Sequence, residues 1–179
     1  MNETKEALII FDVEGTLFDL DHRLHFIQSE QKDWEAFYAA SVLDKPVLPM
    51  IDLCGNLLNF VSLLDWGKTS EIDPELLEPL FGNVAFVSDT PEYYRSELYT
   101  ALAWNVLGEE APKTSIFPPS SSLYMRKDGD DRPEADVKKD ILDEIRAKGY
   151  SVLFVFEARD KVAKIWRDNG VKCFSLGKE

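Results

Sequence analysis

The tightest constraint on this chain is one short stretch and the turn behind it. Residues 6–11, EALIIF, form a continuous apolar run rich in isoleucine, the pattern of a strand buried on both faces. Directly after it stand Asp12-Val13-Glu14-Gly15-Thr16-Leu17. Strands of that kind belong to parallel sheets covered by helices, and such sheets bind ligands at the carboxyl ends of their strands. Two carboxylates at such an end, with a Gly-Thr turn bending the chain away, constrain both the fold and its chemistry.

The remaining chain keeps the alternation going. A helix is expected from about Pro49 to Leu64, followed by a second buried strand, VAFVS (84–88). Thr90 and Pro91 form a helix-start signal, as N-cap and first-turn proline, for a helix reaching about Leu107 and ending at Gly108. A short strand is expected around Ser122–Met125, a periodic helix from 133 to about 148, and a strand in SVLFVFE (151–157). A helix over 160–169 and a strand over 171–176 complete the series. Residues 65–81 read as a loop with a short helix, and 109–122 as a linking segment with three prolines. The expectation is an α/β three-layer sandwich around a central parallel, Rossmann-like sheet. Residues 1–179 form one domain, with a small helical cap insertion at about 18–48 that holds DLDHRLHFIQ and DWEAFYAA.

Charge narrows the function. With 33 acidic residues against 20 basic and a net charge of −13, an extended nucleic-acid-binding surface is not expected, whereas a local basic pocket for one phosphate is compatible. No apolar run approaches the roughly 20 residues of a membrane span, and MNETKEALII does not read as a secretory signal, so a cytoplasmic protein is expected. Cys54 and Cys173 have no metal or redox spacing and read as reduced core thiols. No Gly-x-x-x-x-Gly-Lys-Ser/Thr loop is present, so the chain carries no P-loop kinase half.

Asp12 and Glu14 suit phosphoryl chemistry, one carboxylate attacking phosphorus while the other manages the leaving-group proton. Gly15 permits close backbone approach, and Thr16 can brace the loop or bind a phosphoryl oxygen. Ser88, after the second strand, can bind phosphate beside a helix N-terminus or simply cap that helix. Lys138 can reach back to a phosphate or sit solvated on the surface. Glu157, after the strand that begins at Ser151, is placed where Mg²⁺ would need a hard oxygen. His22 and His25 could form a metal pair but fit cap packing better. Trp34, Phe37, Tyr38, Trp66, Tyr93, Tyr94 and Trp104 can stack a base or fill core and cap.

In that order, Asp12-x-Glu14-Gly-Thr-Leu, strand-Ser88, Lys138 and strand-Glu157 resemble the four motifs of the haloacid dehalogenase superfamily. More narrowly, the chain is similar to the phosphatase module of phage polynucleotide kinases and their stand-alone relatives. That likeness runs through Asp21-His22-Arg23, Leu123-Tyr124-Met125-Arg126, Asp130-Asp131-Arg132-Pro133, Glu157-Ala158-Arg159 and Trp166-Arg167-Asp168-Asn169-Gly170. It implies that Asp12 is the nucleophile, forming an aspartyl-phosphate, and that Glu14 is the general acid and base. It implies Mg²⁺ held by Asp12, the Glu14 backbone carbonyl and Glu157, with phosphoryl oxygens on Thr16, Ser88 and Lys138. It also places Arg23, Arg126 and Arg132 near a substrate that is a phosphorylated nucleotide or nucleic-acid 3′ end. Three positions depart from the family pattern: Glu14 for Asp, Ser88-Asp89-Thr90 for Ser-Gly-Arg, and Glu157-Ala158-Arg159 for Asp-Asp-Arg. They open a second reading, a pseudo-phosphatase that uses the fold as a binding or assembly module.

Overall fold

The computed structural model describes residues 7–67, 83–108 and 122–178. Its centre is a parallel sheet of five strands: β1 (Ala7–Asp12), β4 (Asn83–Pro91), β5 (Leu123–Arg126), β6 (Ser151–Arg159) and β7 (Lys172–Lys178), in the order β5-β4-β1-β6-β7. Two further strands, β2 (Phe18–Asp19) and β3 (Lys45–Pro46), pair antiparallel as a separate ribbon. The apolar run of β1 is buried because neighbours flank both its edges and helices cover both its faces. Successive side chains point to opposite faces of a strand. Ile9 and Phe11 thus enter one core and Leu8 and Ile10 the other.

The first core is closed by α3 (Leu48–Gly67) and α4 (Arg95–Leu107), through Met50, Ile51, Cys54, Leu58, Leu98 and Leu102. The second is closed by α5 (Glu134–Ala147) and α6 (Asp160–Asp168). On α5 the residues Val137, Ile141 and Ile145 recur every four positions and form one buried stripe. Three layers result, as the alternation of elements predicts.

The segment between β1 and α3 is built from short pieces. The β2–β3 ribbon encloses a 3-10 turn at Asp21–Arg23, α1 (His25–Gln28), α2 (Trp34–Ala39) and a second 3-10 turn at Ala40–Leu43. Arg23 fastens them together. It is fully buried, bonds both oxygens of Asp44 at 2.8 and 2.6 Å, donates to the Phe37 carbonyl, and stacks 4.2 Å above the Phe37 ring.

One boundary differs from expectation. Strand β4 continues through Ser88 to Pro91, and α4 begins only at Arg95, after a 3-10 turn at Glu92–Tyr94. Pro91 still pairs with Arg126 of β5, so strand pairing overrides the local capping signal at Thr90. The helix does stop at Gly108, which takes a φ of 60°. The expected loop elements within 68–82 and 109–121 lie outside the described residues. Cys54 is buried and Cys173 half-buried, both as free thiols. Among the described residues no helix is long and apolar enough to cross a membrane.

Candidate active site

Register brings the site together. Asp12 ends β1 opposite Val87, one residue before Ser88, while Phe11 lies opposite Phe156, one residue before Glu157. The chain leaves β1 towards β4 and leaves β6 towards β7, so the topological switch point falls between β1 and β6, where ligands bind in such sheets. Behind Asp12 the chain folds sharply. Leu17 and Phe18 N–H groups return to the Val13 carbonyl, and Gly15 sits at a φ of 85° that a side chain rarely adopts. A Cβ at Gly15 would also lie 3.1 Å from Ala158 Cβ, so the turn is packed directly on β6.

Asp12 is fully buried and held at both oxygens. Thr16 Oγ1 donates to Oδ2 at 2.9 Å, and the Lys138 ammonium contacts Oδ1. Lys138, also buried, reaches Glu157 Oε2 and Glu134 Oε1, each at 2.8 Å. Arg159 pairs with Glu134, and its backbone N–H donates to Glu157 Oε1 at 3.1 Å. Burial, then Glu157, push the Asp12 carboxyl well above the usual carboxylate range against the pull of Lys138. Burial works against the Lys138 charge, yet Asp12, Glu134 and Glu157 hold it firmly protonated.

Glu14 turns to the other side of the site. One carboxylate oxygen accepts from Ser88 Oγ at 2.6 Å and Thr90 Oγ1 at 2.7 Å, and the other accepts from the Asp89 N–H at 3.0 Å. Ser88 is in turn fixed by the Thr90 N–H at 3.0 Å. Two hydroxyls and an amide thus converge on one carboxyl group, in the arrangement a phosphoryl oxygen would seek. Because β4 runs on as strand, these donors do not belong to a helix N-terminus, contrary to the expectation for Ser88.

A cavity of about 590 Å³ opens beside this cluster, with Glu14, Thr90, Glu134 and Arg159 among its lining. Arg126 and Arg132 also line it. Arg126 is engaged by the Asp89 carboxylate and by the carbonyls of Asp89, Asp130 and Arg132. Arg132 bonds Asp130 and Asp140. Asp89 is pushed up to about 7, chiefly by burial and then by Glu134. Arg23 does not line the cavity: its guanidinium is spent on Asp44 and Phe37, so here it braces the 18–48 segment. His22 pairs with Asp44 and His25 bonds the His22 carbonyl. Among the described residues no group of three or more His, Cys, Asp or Glu side chains is placed to share a metal.

Sequence reasoning missed Glu134 and the role of Thr90. Glu134 carries one signal, its i, i+4 spacing to Lys138 on α5, and Thr90 reads more simply as a helix cap.

A parallel sheet with paired acids behind its central strand defines an α/β fold of the haloacid-dehalogenase-like class. Residues 83–178 match the family model for the polynucleotide kinase PNKP phosphatase domain, and, with more than half of it matched, the chain belongs to that family. Among solved structures, a chain of the Pnkp1/Rnl/Hen1 RNA repair complex aligns with 97% of this chain at 20% identity and a TM-score of 0.59. A chain of a second Pnkp1/Rnl/Hen1 complex covers 97% at 21% identity and a TM-score of 0.56. At these identities the likeness is one of fold, and this chain spans only 43% and 46% of theirs. No curated protein matches the chain.

Proposed function

We propose that this chain is a phosphomonoesterase that removes a terminal phosphate from a nucleotide or a nucleic-acid 3′ end through an aspartyl-phosphate. The observation that carries the reading is Asp12 itself, buried at the switch point with one oxygen on Thr16 and the other on Lys138. Such bracing fixes a carboxylate for in-line attack. An Asp12 oxygen bonds to phosphorus while the ester P–O bond breaks, and the Glu14 carboxylic acid gives its proton to the leaving oxygen. In the second step Glu14, now a carboxylate, takes a proton from water. The water oxygen bonds to phosphorus, the Asp12 P–O bond breaks, and inorganic phosphate leaves. Glu14 must withdraw from Ser88 Oγ, Asp89 N–H and Thr90 Oγ1 so that phosphoryl oxygens can take those donors. Lys138 stands beside Asp12 to neutralise charge that develops there. Residues 18–48 serve as the cap over this chemistry.

Asp12 and Glu157 already converge on one cation, the Lys138 ammonium, and two carboxylates are enough for a hard divalent cation. Four acids, Asp12, Glu14, Glu134 and Glu157, stand against Lys138 and Arg159, and the upward push of burial and Glu157 on Asp12 is what a cation would relieve. Mg²⁺ takes one or two carboxylates and completes its shell with water and phosphate oxygens. Asp12, Glu157 and the Glu14 carbonyl would hold it, and it would supply charge neutralisation on the phosphoryl group.

A second reading, a pseudo-phosphatase that binds without turnover, is favoured by Ala158, which offers no oxygen, and by Glu14 filling the anion cradle. Phosphate release from p-nitrophenyl phosphate, mononucleotides and a 3′-phosphorylated oligonucleotide, with and without Mg²⁺, separates the two. Turnover that needs Mg²⁺ and is abolished by Asp12→Asn supports the phosphatase. Absence of turnover together with no metal binding supports the binding module.

A further inference from the structure

The cavity beside Glu14 has two unlike walls. One is apolar and comes from the segment between β1 and α3: Leu20, Leu24, Ile27, Trp34, Phe37 and Tyr38. Trp34 and Tyr38 lie one turn apart on α2 with ring centroids 5.9 Å apart and planes inclined by only 23°, a nearly parallel aromatic pair. Trp34 is 44% exposed, so its ring is accessible. Flat heteroaromatic groups stack on such surfaces whatever their hydrogen-bonding pattern.

The other wall is charged, and its sign decides what can enter. Glu14, Asp89, Asp130, Asp131 and Glu134 face Arg126, Arg132 and Arg159. Each guanidinium already has anionic partners: Arg126 has Asp89, Arg132 has Asp130 and Asp140, and Arg159 has Glu134. Arg159 Nε is buried without a hydrogen-bond acceptor, 3.9 Å from Glu157 Oε1. Among the lining residues five carboxylates therefore stand against three guanidiniums, and the buried Arg159 Nε beside Glu157 is a donor left for one phosphate. Asp130 is paired with Arg132, and the carboxylate excess that remains in the lining, Asp131 included, would repel a second phosphate but can accept hydrogen bonds from sugar hydroxyls and exocyclic amines.

Resting on the phosphatase reading, we infer that the cavity receives a nucleoside with its base on Trp34 and Tyr38, and that the substrate is a nucleoside monophosphate with no second phosphate. The volume is in the range of small-molecule sites, and the contrast between walls orients the ligand with its phosphate towards Glu14, Thr90 and Arg159. A polynucleotide end carries an internucleotide phosphate next to its terminal sugar, and that phosphate meets the carboxylate wall.

The test is a specificity measurement. Wild type is assayed on p-nitrophenyl phosphate, a nucleoside 3′-monophosphate, the matching 3′,5′-bisphosphate and a short 3′-phosphorylated oligonucleotide. The monophosphate is expected to exceed the bisphosphate and oligonucleotide by about tenfold or more in kcat/KM, a gap that Asp130→Asn/Asp131→Asn narrows. Trp34→Ala is expected to lower the ratio of nucleotide to p-nitrophenyl phosphate kcat/KM by about tenfold or more, with Trp34→Phe restoring most of it. Equal use of mono- and bisphosphate, or an unchanged ratio in Trp34→Ala, overturns the inference. If nothing is turned over, the phosphatase reading fails separately. Binding of the monophosphate followed by tryptophan fluorescence then decides: saturable binding lost in Trp34→Ala upholds the cavity assignment, and no binding overturns it.

Discussion

Replacing Lys138 by methionine probes the centre of the site without changing side-chain bulk much. In the native protein its ammonium touches Asp12, Glu134 and Glu157 with both Lys138 and two of those acids fully buried. Removing one partner of a buried ionic cluster costs about 3–5 kcal/mol, because the remaining charges lose their compensation but stay desolvated. In a domain of this length that is a fall in Tm of roughly 6–20 °C. The loss also has a pH signature. Without Lys138 the Asp12 carboxyl, already raised by burial, moves further upward, so the folded variant binds a proton that the unfolded chain releases near pH 4. Folding then gains from acid, and the deficit shrinks as pH falls from about 8 to about 5. In the native protein the lysine pKa is raised, so its stabilisation is present below the unfolded lysine value of about 10.5 and is lost only above it. Urea unfolding at both pH values reads the difference. Millimolar Mg²⁺ should return part of the lost stability to Lys138→Met, since a divalent cation can replace the missing charge. A deficit below about 1 kcal/mol that is flat with pH would refute the idea that Lys138 neutralises this cluster.

Three other outcomes are expected. Asp89, raised to about 7 by burial and Glu134, makes its contribution to folding below the unfolded carboxylate pKa and loses it as pH rises towards neutrality. The Tm of wild type should thus fall between about pH 5 and 8 more steeply than that of Asp89→Asn, and parallel curves would contradict the assignment. Arg23→Met should leave Asp44 buried without its guanidinium and lower stability by about 3 kcal/mol, measured by urea unfolding, with protease cleavage appearing first within residues 18–48. Thr16→Val removes the hydroxyl on Asp12 Oδ2 and, under the proposed mechanism, should lower kcat by about tenfold with little change in KM, because the lost bond would orient the nucleophile rather than the substrate.

Much of this was written in the chain. Fully buried strands advertise themselves as short apolar runs, and the strand-end rule brings Asp12, Ser88 and Glu157 to one edge before any coordinates exist. Lys138 was legible only with the family pattern beside it, since a lysine in the first turns of a helix reads as solvated. Glu134 was hidden for a related reason: an acid in a first helical turn is explained well enough by the helix dipole. The burial of Arg23 depends on Asp44, a partner 21 positions away that no local pattern announces. At Thr90 the capping signal was real but lost to a non-local event, the pairing of Pro91 with Arg126.

The short ribbon of β2 and β3 has a consequence of its own. Phe18 pairs with Pro46 and Asp19 with Lys45, and the Val47 N–H donates to the Leu17 carbonyl at 2.8 Å. The chain therefore leaves the sheet and comes back through a single doorway. Everything between Leu20 and Asp44 hangs from that frame, and a longer or shorter loop on a fixed frame changes closure entropy only slowly. A tight two-residue turn could close the doorway outright, and a larger insert could be threaded through it, with the sheet and its acids left in register. Through this port the fold can exchange what stands over its strand ends while the acids beneath keep their places.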